Sequence, residues 1–221
     1  MLLIGNGKVL TRNEKEPYFE NGAVVTDGET IREVGDFGRL REMYPQAEFV
    51  DARGGIIMQG FINAHTHIYS ALARGLSIKG YSPTNFLEIL QGMWWNIDRH
   101  LDLESVRASA YATVMDCIRQ GVTTIFDHHA SYGSITGSLF AIGEVTRELG
   151  IRACLCYEVS DRDGEEKCLE GIRENAEFIK YTRELDDDML KGMFGIHALF
   201  TVSNRTLERC VEANNGMAGF H

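Results

Sequence analysis

Apolar and polar positions alternate in short runs through the first fifty residues of the chain. An Asn-Gly dipeptide at 6–7 and an Asp-Gly dipeptide at 27–28 each separate two apolar runs, and both favour the positive φ angles of tight hairpin turns. An amphipathic run at 37–44 predicts a short helix, and the run at 48–51 predicts another strand. The pattern therefore predicts an antiparallel β unit over residues 1–54.

From residue 55 onward, apolar runs of strand length alternate with amphipathic runs of helical period. This alternation, with short connections, predicts a parallel sheet with right-handed helical crossovers and hence an α/β fold. The pattern alone fits an open sheet or a (β/α)8 barrel. The acidic run at 186–188 is expected to be a solvated loop before the fourth strand. Strands are predicted at 56–62, 122–127, 151–157 and 190–197, helices at 83–97, 103–120, 138–149, 167–183 and after Ser203, and the opening of a fifth strand at 217–221.

The number of strand–helix units limits what residues 55–221 can form. A closed barrel has eight such units and a typical length of about 250 residues, whereas this region predicts four units and the start of a fifth strand. If the fold is a barrel, we expect this chain to hold its first half and the remaining strands to follow residue 221. Because a half barrel leaves an apolar strand edge unpaired, a homo-oligomer or association through the open barrel edge is expected.

Charge and cysteine content narrow the function classes. The 221 residues carry 22 Lys and Arg against 32 Asp and Glu, a net charge of -10, without a basic run. We therefore expect a small-molecule substrate rather than a nucleic-acid or membrane partner. Five cysteines without a C-x-x-C spacing suggest neither a disulfide framework nor a zinc ribbon. The first residues lack the regions of a signal peptide, so we expect a cytoplasmic protein.

Two histidines at the end of the first barrel strand carry the main chemical signal. His65 and His67 are two residues apart, so their side chains lie on the same face of the strand. A parallel barrel has its active site at the carboxyl ends of its strands, where two imidazole nitrogens can share one metal ion. The alternative is a chance pair of solvated histidines, and the position after a buried strand favours the metal pair.

Other residues near the strand ends are candidates for substrate contacts. His128 and His129 end the strand predicted at 122–127 and point to opposite faces if the strand continues, so at most one enters the pocket. Trp94 and Trp95 could stack on a planar ring, although aromatic residues on an apolar helical face mostly fill cores. His128 and Trp94 are therefore the candidate substrate-binding residues of this part of the chain.

The segment at 50–67, which reads VDARGGIIMQGFINAHTH, resembles the start of the barrel in the amidohydrolase superfamily. The likeness continues through Ala-Arg-Gly at 73–75, GVTTIFD at 121–127 and GIHALFTVS at 195–203. It is greatest to the branch that contains guanine deaminase, the triazine chlorohydrolases, adenosine-type deaminases and an aminohydrolase associated with selenium metabolism. Gln59 is a departure, since such proteins usually have proline before the glycine, but it removes no ligand.

The resemblance implies a fold and a reaction. The fold is α/β: the first half of a (β/α)8 TIM barrel of amidohydrolase type over 55–221, preceded by the N-terminal part of a small β-sandwich domain over 1–54. The reaction is that of a metal-dependent hydrolase, in which water displaces ammonia or chloride from a small planar heterocycle. One divalent ion, zinc or iron, is held in that family by two histidines of strand 1, a histidine of strand 5 and an aspartate of strand 8.

The resemblance also implies roles for individual residues. His65 and His67 match the two metal ligands of strand 1. His221 falls on strand 5, either as the third metal ligand or as the residue two positions before it. His197, at the end of strand 4, matches an imidazole that contacts substrate.

Two alternatives remain open at this point. A PHP-type phosphoesterase also opens with histidines on its first strand, but it usually begins there, whereas residues 1–54 precede the strand here. A non-catalytic metal-binding fragment is the other alternative. The catalytic acid and base are expected beyond residue 221, and two histidines fall short of the three protein ligands usual at catalytic zinc. We therefore expect the 221-residue chain alone to be inactive or nearly so.

Overall fold

The computed structural model describes residues 1–185 and 187–221, and the chain divides into two compact units, Met1–Gly60 and Phe61–His221. The acidic run predicted as a loop includes Asp186, which lies outside the described residues. Along the described residues, no helix has both the length and the apolar composition needed to cross a membrane.

The first unit contains strands β1 (Leu2–Leu10), β2 (Tyr18–Asp27) and β3 (Thr30–Asp36), helix α1 (Phe37–Met43), and strands β4 (Glu48–Asp51) and β5 (Ile56–Ile57). The sheet order is β3-β2-β1-β4, and β5 also pairs with β1. β1, β2 and β3 pair antiparallel, whereas β4 and β5 run parallel to β1. The predicted antiparallel arrangement is therefore wrong for β4, because α1 provides the crossover that parallel pairing needs.

The two glycine dipeptides of the first unit have different roles. The Asp-Gly at 27–28 forms the predicted hairpin between β2 and β3, with Gly28 at φ 58°. The Asn-Gly at 6–7 lies inside β1, where Asn6 adopts φ 57° and the register against β2 shifts. The hairpin predicted there is wrong, because the positive φ serves a β-bulge within one long strand.

The second unit alternates strands and helices, as its sequence pattern predicts. Short 3-10 helices at Ile68–Ala73 and Leu199–Thr201 and a π-helical turn at Leu90–Trp94 accompany the regular elements. The elements are β6 (Phe61–Thr66), α2 (Phe86–Ile89), α3 (Trp95–Asp98), α4 (Leu103–Arg119), β7 (Val122–His129), α5 (Ser138–Glu148), β8 (Arg152–Tyr157), α6 (Glu165–Glu184), β9 (Leu190–Gly192) and α7 (Asn204–Asn214).

The sheet of the second unit is parallel. In the part of the chain that the structure describes, its strands pair in the order β6-β7-β8-β9. The strand predicted at 56–62 is in fact two strands, since β5 pairs in the first unit and β6 begins the second. Buried faces of α4 and α5 share one apolar core with Ile125 of β7 and Leu155 of β8.

The regular fourth strand is shorter than predicted, because the Asn175 side chain interrupts its pairing with the β8 segment, which resumes at a parallel bridge between Val159 and Ile196. A Cβ on Gly195 would lie 2.3 Å from the carbonyl oxygen of Tyr157, so the chain passes very close to β8 there. Asn175 of α6 accepts a hydrogen bond from the Tyr157 N–H at 2.8 Å and donates one to the Tyr157 carbonyl at 2.8 Å. This amide bridges the end of β8 to the segment that leads to His197.

The end of the chain confirms the predicted start of a fifth strand. Phe194 and Phe220 form a parallel bridge. The Ile196 N–H donates to the His221 carbonyl at 3.0 Å, and the His221 N–H donates to the Phe194 carbonyl at 2.9 Å. His221 therefore lies at the same end of the sheet as the residues that follow β6, β7 and β8.

Replacing Asn175 tests this bridge. Asn175→Ala would leave the buried N–H and carbonyl of Tyr157 without these partners, and we expect it to lower the free energy of unfolding by about 2–4 kcal/mol. Urea titration followed by tryptophan fluorescence measures this change, since Trp94 and Trp95 both lie in the second unit. The control Asn204→Ala alters an exposed residue and should change stability by less than about 0.5 kcal/mol. Equal effects of the two substitutions would contradict the bridge.

Candidate metal centre

The carboxyl ends of the parallel strands meet at one end of the second unit, where side chains line a cavity of about 420 Å³. One part of the wall is apolar and includes Phe86, Leu90 and Trp94. The polar part is formed by His65, His67, His128, Glu158, His197 and His221.

His65 and His67 face each other through ring nitrogens. Their Nε2 atoms lie 3.2 Å apart. His67 Nδ1 is 2.8 Å from the backbone carbonyl oxygen of His128. Because a carbonyl only accepts, Nδ1 carries the proton of the neutral His67 ring, and Nε2 carries its lone pair. The lone pair of His67 therefore points towards the His65 ring.

The spacing of this pair fits a metal site. In a tetrahedral site with bonds of about 2.05 Å, two ligand nitrogens are separated by about 3.3 Å. Two lone pairs at such a distance repel each other unless a proton or a cation lies between them. Burial lowers the pKa of His65, and His67 and His221 lower it further, which favours the neutral form that binds metals. His65 and His67 could therefore hold a divalent cation.

His221 contacts the opposite side of the His65 ring. Its Nε2 lies 2.8 Å from His65 Nδ1, and the two rings stack with centroids 5.0 Å apart. If His65 used Nε2 to bind a cation, its Nδ1–H would donate to His221, as metal-binding histidines usually donate to an orienting partner. The structure brings His65, His67 and His221 together, but His221 does not share the nitrogen that faces His67.

A second group of donors adjoins the first. His67, His128 and Glu158 each offer a ligand atom, and these atoms lie within 4.8 Å of one another. His128 Nδ1 is 3.4 Å from Glu158 Oε2. The neighbouring His129 points away from the cavity, is fully buried and contacts the Ser131 hydroxyl at 2.9 Å. One of the two adjacent histidines therefore enters the pocket.

The other predicted substrate residues also lie at the cavity. His197 lines it and contacts the Thr201 hydroxyl through Nδ1 at 2.8 Å. Burial lowers the pKa of His197, which favours the neutral ring. Trp94 lines the cavity beside Phe86, whereas Trp95 is buried and packs against the guanidinium of Arg162. The two adjacent tryptophans thus divide between the pocket and the core.

Asp127 fixes the segment that follows His67. Its Oδ1 accepts a hydrogen bond from the Ile68 N–H at 2.6 Å, and the carboxyl group is buried. Burial raises the pKa of Asp127 to about 7, although the Ile68 N–H opposes that shift. The contact joins the end of β7 to the chain after β6 and helps to hold His67 over His128.

Sequence reasoning missed a buried polar network beneath the cavity. Arg162 contacts Asp98 at 2.5 Å and Glu158 at 3.5 Å, and all three side chains are at most 4% exposed. Burial raises the pKa of Asp98 to about 7, against the opposing effect of the Arg162 guanidinium. Glu158 directly follows β8, so the strand-end rule that identified His197 could have found it. Asp98 lies in a helical segment and gives no such signal.

Two family models match parts of this chain. A family model described as the amidohydrolase family matches residues 56–218. A model for the imidazolonepropionase-like composite domain of bacteria matches residues 22–47. The amidohydrolase match over residues 56–218 favours the amidohydrolase interpretation over a PHP-type phosphoesterase.

Curated relatives match along almost the whole chain. The 5'-deoxyadenosine deaminase of Methanosarcina barkeri is 27% identical over 224 residues, which cover 100% of this chain and 48% of the relative. The 5-methylthioadenosine/S-adenosylhomocysteine deaminase of Bacillus cytotoxicus is 30% identical over 219 residues, which cover 96% of this chain and 48% of the relative. The chain thus spans about half the length of the curated relatives it matches.

Solved structures share the fold. A mutant atrazine chlorohydrolase from Arthrobacter aurescens, complexed with zinc and atraton, matches with a TM-score of 0.80 and 21% identity, over 98% of this chain and 51% of that one. The guanine deaminase of E. coli matches with a TM-score of 0.75 and 18% identity, over the same shares. The predicted first half of an amidohydrolase-type (β/α)8 barrel is confirmed, and the chain belongs to the amidohydrolase family.

Proposed function

We propose that this chain supplies the metal-binding strand and part of the substrate pocket of a hydrolase that displaces ammonia from a small planar heterocycle. His65 and His67 bind one divalent ion, zinc or iron, and His197, His128 and Trp94 contact the substrate. The 3.2 Å approach of the His65 and His67 Nε2 atoms is the observation that carries this proposal.

The chemistry of the reaction explains why such a site needs a cation. Hydrolytic displacement at a ring carbon requires hydroxide near neutral pH, and a divalent ion lowers the pKa of coordinated water from about 15.7 to about 7. The residues of this chain would bind the ion and orient its ligands. His67 is held by the His128 carbonyl, and His65 is held by His221. His221 remains a candidate third ligand, but its contact with the far nitrogen of His65 favours an orienting role.

The substrate class is inferred from the pocket and from the relatives. Phe86, Leu90 and Trp94 give the cavity an apolar wall of the kind that covers a flat ring. Two of the relatives are named as deaminases of adenosine derivatives, and one neighbour is a chlorohydrolase complexed with zinc. Displacement of chloride is therefore the second candidate reaction, since it uses the same activated water. A non-catalytic metal-binding role is the alternative from another class.

The cellular compartment of the protein and its association with other chains stay predictions. We propose a cytoplasmic protein whose partner is a small-molecule substrate. A homo-oligomer, or association with another chain through the barrel edge, stays a prediction. Turnover by the 221 residues alone is not expected, because the proposed ligand set lacks the third protein ligand usual at catalytic zinc.

Zinc binding by the purified chain tests the proposal. We expect the wild-type chain to bind one zinc ion, and His65→Ala and His67→Ala each to weaken binding by about 100-fold or more, since even changes to the partners of ligands cost about 10–100-fold. Isothermal titration calorimetry gives the affinity, and metal analysis of the dialysed protein gives the stoichiometry.

The matched control is His100→Ala, which removes an exposed imidazole outside the cavity and should leave zinc affinity within about twofold. Unchanged zinc affinity in both His65→Ala and His67→Ala, with folding retained by circular dichroism, would refute the proposed metal site.

A further inference from the structure

Glu158 is a buried carboxylate that faces the cavity without a close partner of its own. It directly follows β8, is 3% exposed and lines the cavity. The nearest charged or imidazole nitrogens lie at 3.4 Å (His128 Nδ1), 3.5 Å (Arg162 Nη2) and 4.0 Å (His197 Nε2). Charge-assisted hydrogen bonds are usually about 2.7–2.9 Å long, so these contacts leave its acceptor capacity largely unused.

Arg162 compensates Glu158 only in part, because its shorter contacts are to Asp98. The guanidinium contacts both Asp98 oxygens, at 2.5 and 3.3 Å, and is fixed against the rings of Trp95 and Tyr132. Two buried carboxylates thus share one buried guanidinium, which is closer to Asp98. The acceptor capacity that Arg162 leaves at Glu158 is what a cationic or N–H-rich ligand would use.

The neighbouring His197 also presents an acceptor to the same space. The Thr201 hydroxyl donates to the Ala198 carbonyl at 2.7 Å, so it accepts from His197 Nδ1–H. The neutral His197 ring then has its lone pair on Nε2, which lies 4.0 Å from Glu158 Oε1. A single donor placed between these two acceptors can reach both, and an N–H group of a ligand is such a donor.

We propose that Glu158 is a specificity-determining residue that selects ring substrates whose edge carries adjacent N–H donors, as an amidine or protonated amidinium edge does. The carboxylate accepts two hydrogen bonds from that edge, His197 Nε2 accepts another, and the apolar wall at Trp94 covers the ring. This inference rests on the proposed function. Because Glu158 and His67 have ligand atoms within 4.8 Å of each other, the recognised edge lies next to the proposed metal.

Two probes of equal shape test the selection on the wild-type chain. Benzamidine presents a flat ring with an amidinium edge, whereas benzamide replaces one N–H group by a carbonyl acceptor and is neutral. We expect benzamidine to bind at least about tenfold more tightly than benzamide, the difference that a buried charge-assisted hydrogen bond typically makes. Isothermal titration calorimetry or ligand-observed NMR measures both affinities, and this comparison needs no variant.

Substitution of the carboxylate assigns the preference to Glu158. Glu158→Gln should lower benzamidine affinity by about tenfold or more and abolish the preference over benzamide. The matched control Glu166→Gln makes the same charge change at an exposed position in the first turn of α6 and should leave both affinities within about twofold. Circular dichroism and thermal melting establish that both variants fold.

Zinc titration of the same variants separates this inference from the proposed metal site. We expect Glu158→Gln to bind zinc within about twofold of wild type, while His65→Ala loses it. A loss of zinc affinity in Glu158→Gln as large as in His65→Ala would make Glu158 a metal ligand and overturn the inference. Equal affinity of the wild-type chain for the two probes, or no binding of benzamidine, would also overturn it. Failure of the wild-type chain to bind zinc would refute only the proposed metal site.

Discussion

The parallel pairing of β6, β7 and β8 is the constraint on which the site depends. Parallel strands bring their carboxyl ends to the same end of a sheet, so residues distant in sequence become neighbours there. His67 after β6, His128 at the end of β7 and Glu158 after β8 have ligand atoms within 4.8 Å of one another for this reason. The Asp127 contact with the Ile68 N–H then fixes the chain after β6 against β7. Without this register, His65 and His67 would be two histidines on a strand with no pocket around them.

Much of this arrangement could be predicted from periodicity and strand ends. The alternation of apolar runs predicted the parallel sheet, the i and i+2 spacing predicted that His65 and His67 share a face, and period-two geometry predicted that His128 and His129 would separate.

Features set by tertiary contacts could not be predicted. The Asn-Gly at 6–7 has the chemistry of a turn but serves a bulge, and the regular part of the fourth strand ends early because Asn175 interrupts its pairing with β8. The Asp98–Arg162 pair joins a helical segment to the loop after β8, a contact that no local pattern encodes.

The pocket combines imidazole nitrogens with the carboxylate of Glu158, whose nearest cationic or imidazole nitrogens lie at 3.4 Å or more. His67 is fixed as the tautomer with a free Nε2, the neutral His197 presents Nε2 to the cavity, and Glu158 has its guanidinium neighbour turned mainly to Asp98. A cavity lined by acceptors favours ligands that bring positive charge or N–H groups. A metal ion near His65 and His67 would supply positive charge, and an N–H-rich ring near Glu158 would supply donors. The proposed metal site and the proposed substrate preference therefore have the same electrostatic cause.

Zinc K-edge X-ray absorption of the zinc-loaded chain tests the central claim, that the His65 and His67 imidazoles hold the cation. If His65 and His67 hold the cation, the spectrum will show nitrogen scatterers at about 2.0–2.1 Å with the multiple scattering of imidazole rings. That signal will be lost when both histidines are replaced. The chain also contains five cysteines. A shell of sulfur at about 2.3 Å, or of oxygen without imidazole, would contradict coordination by His65 and His67.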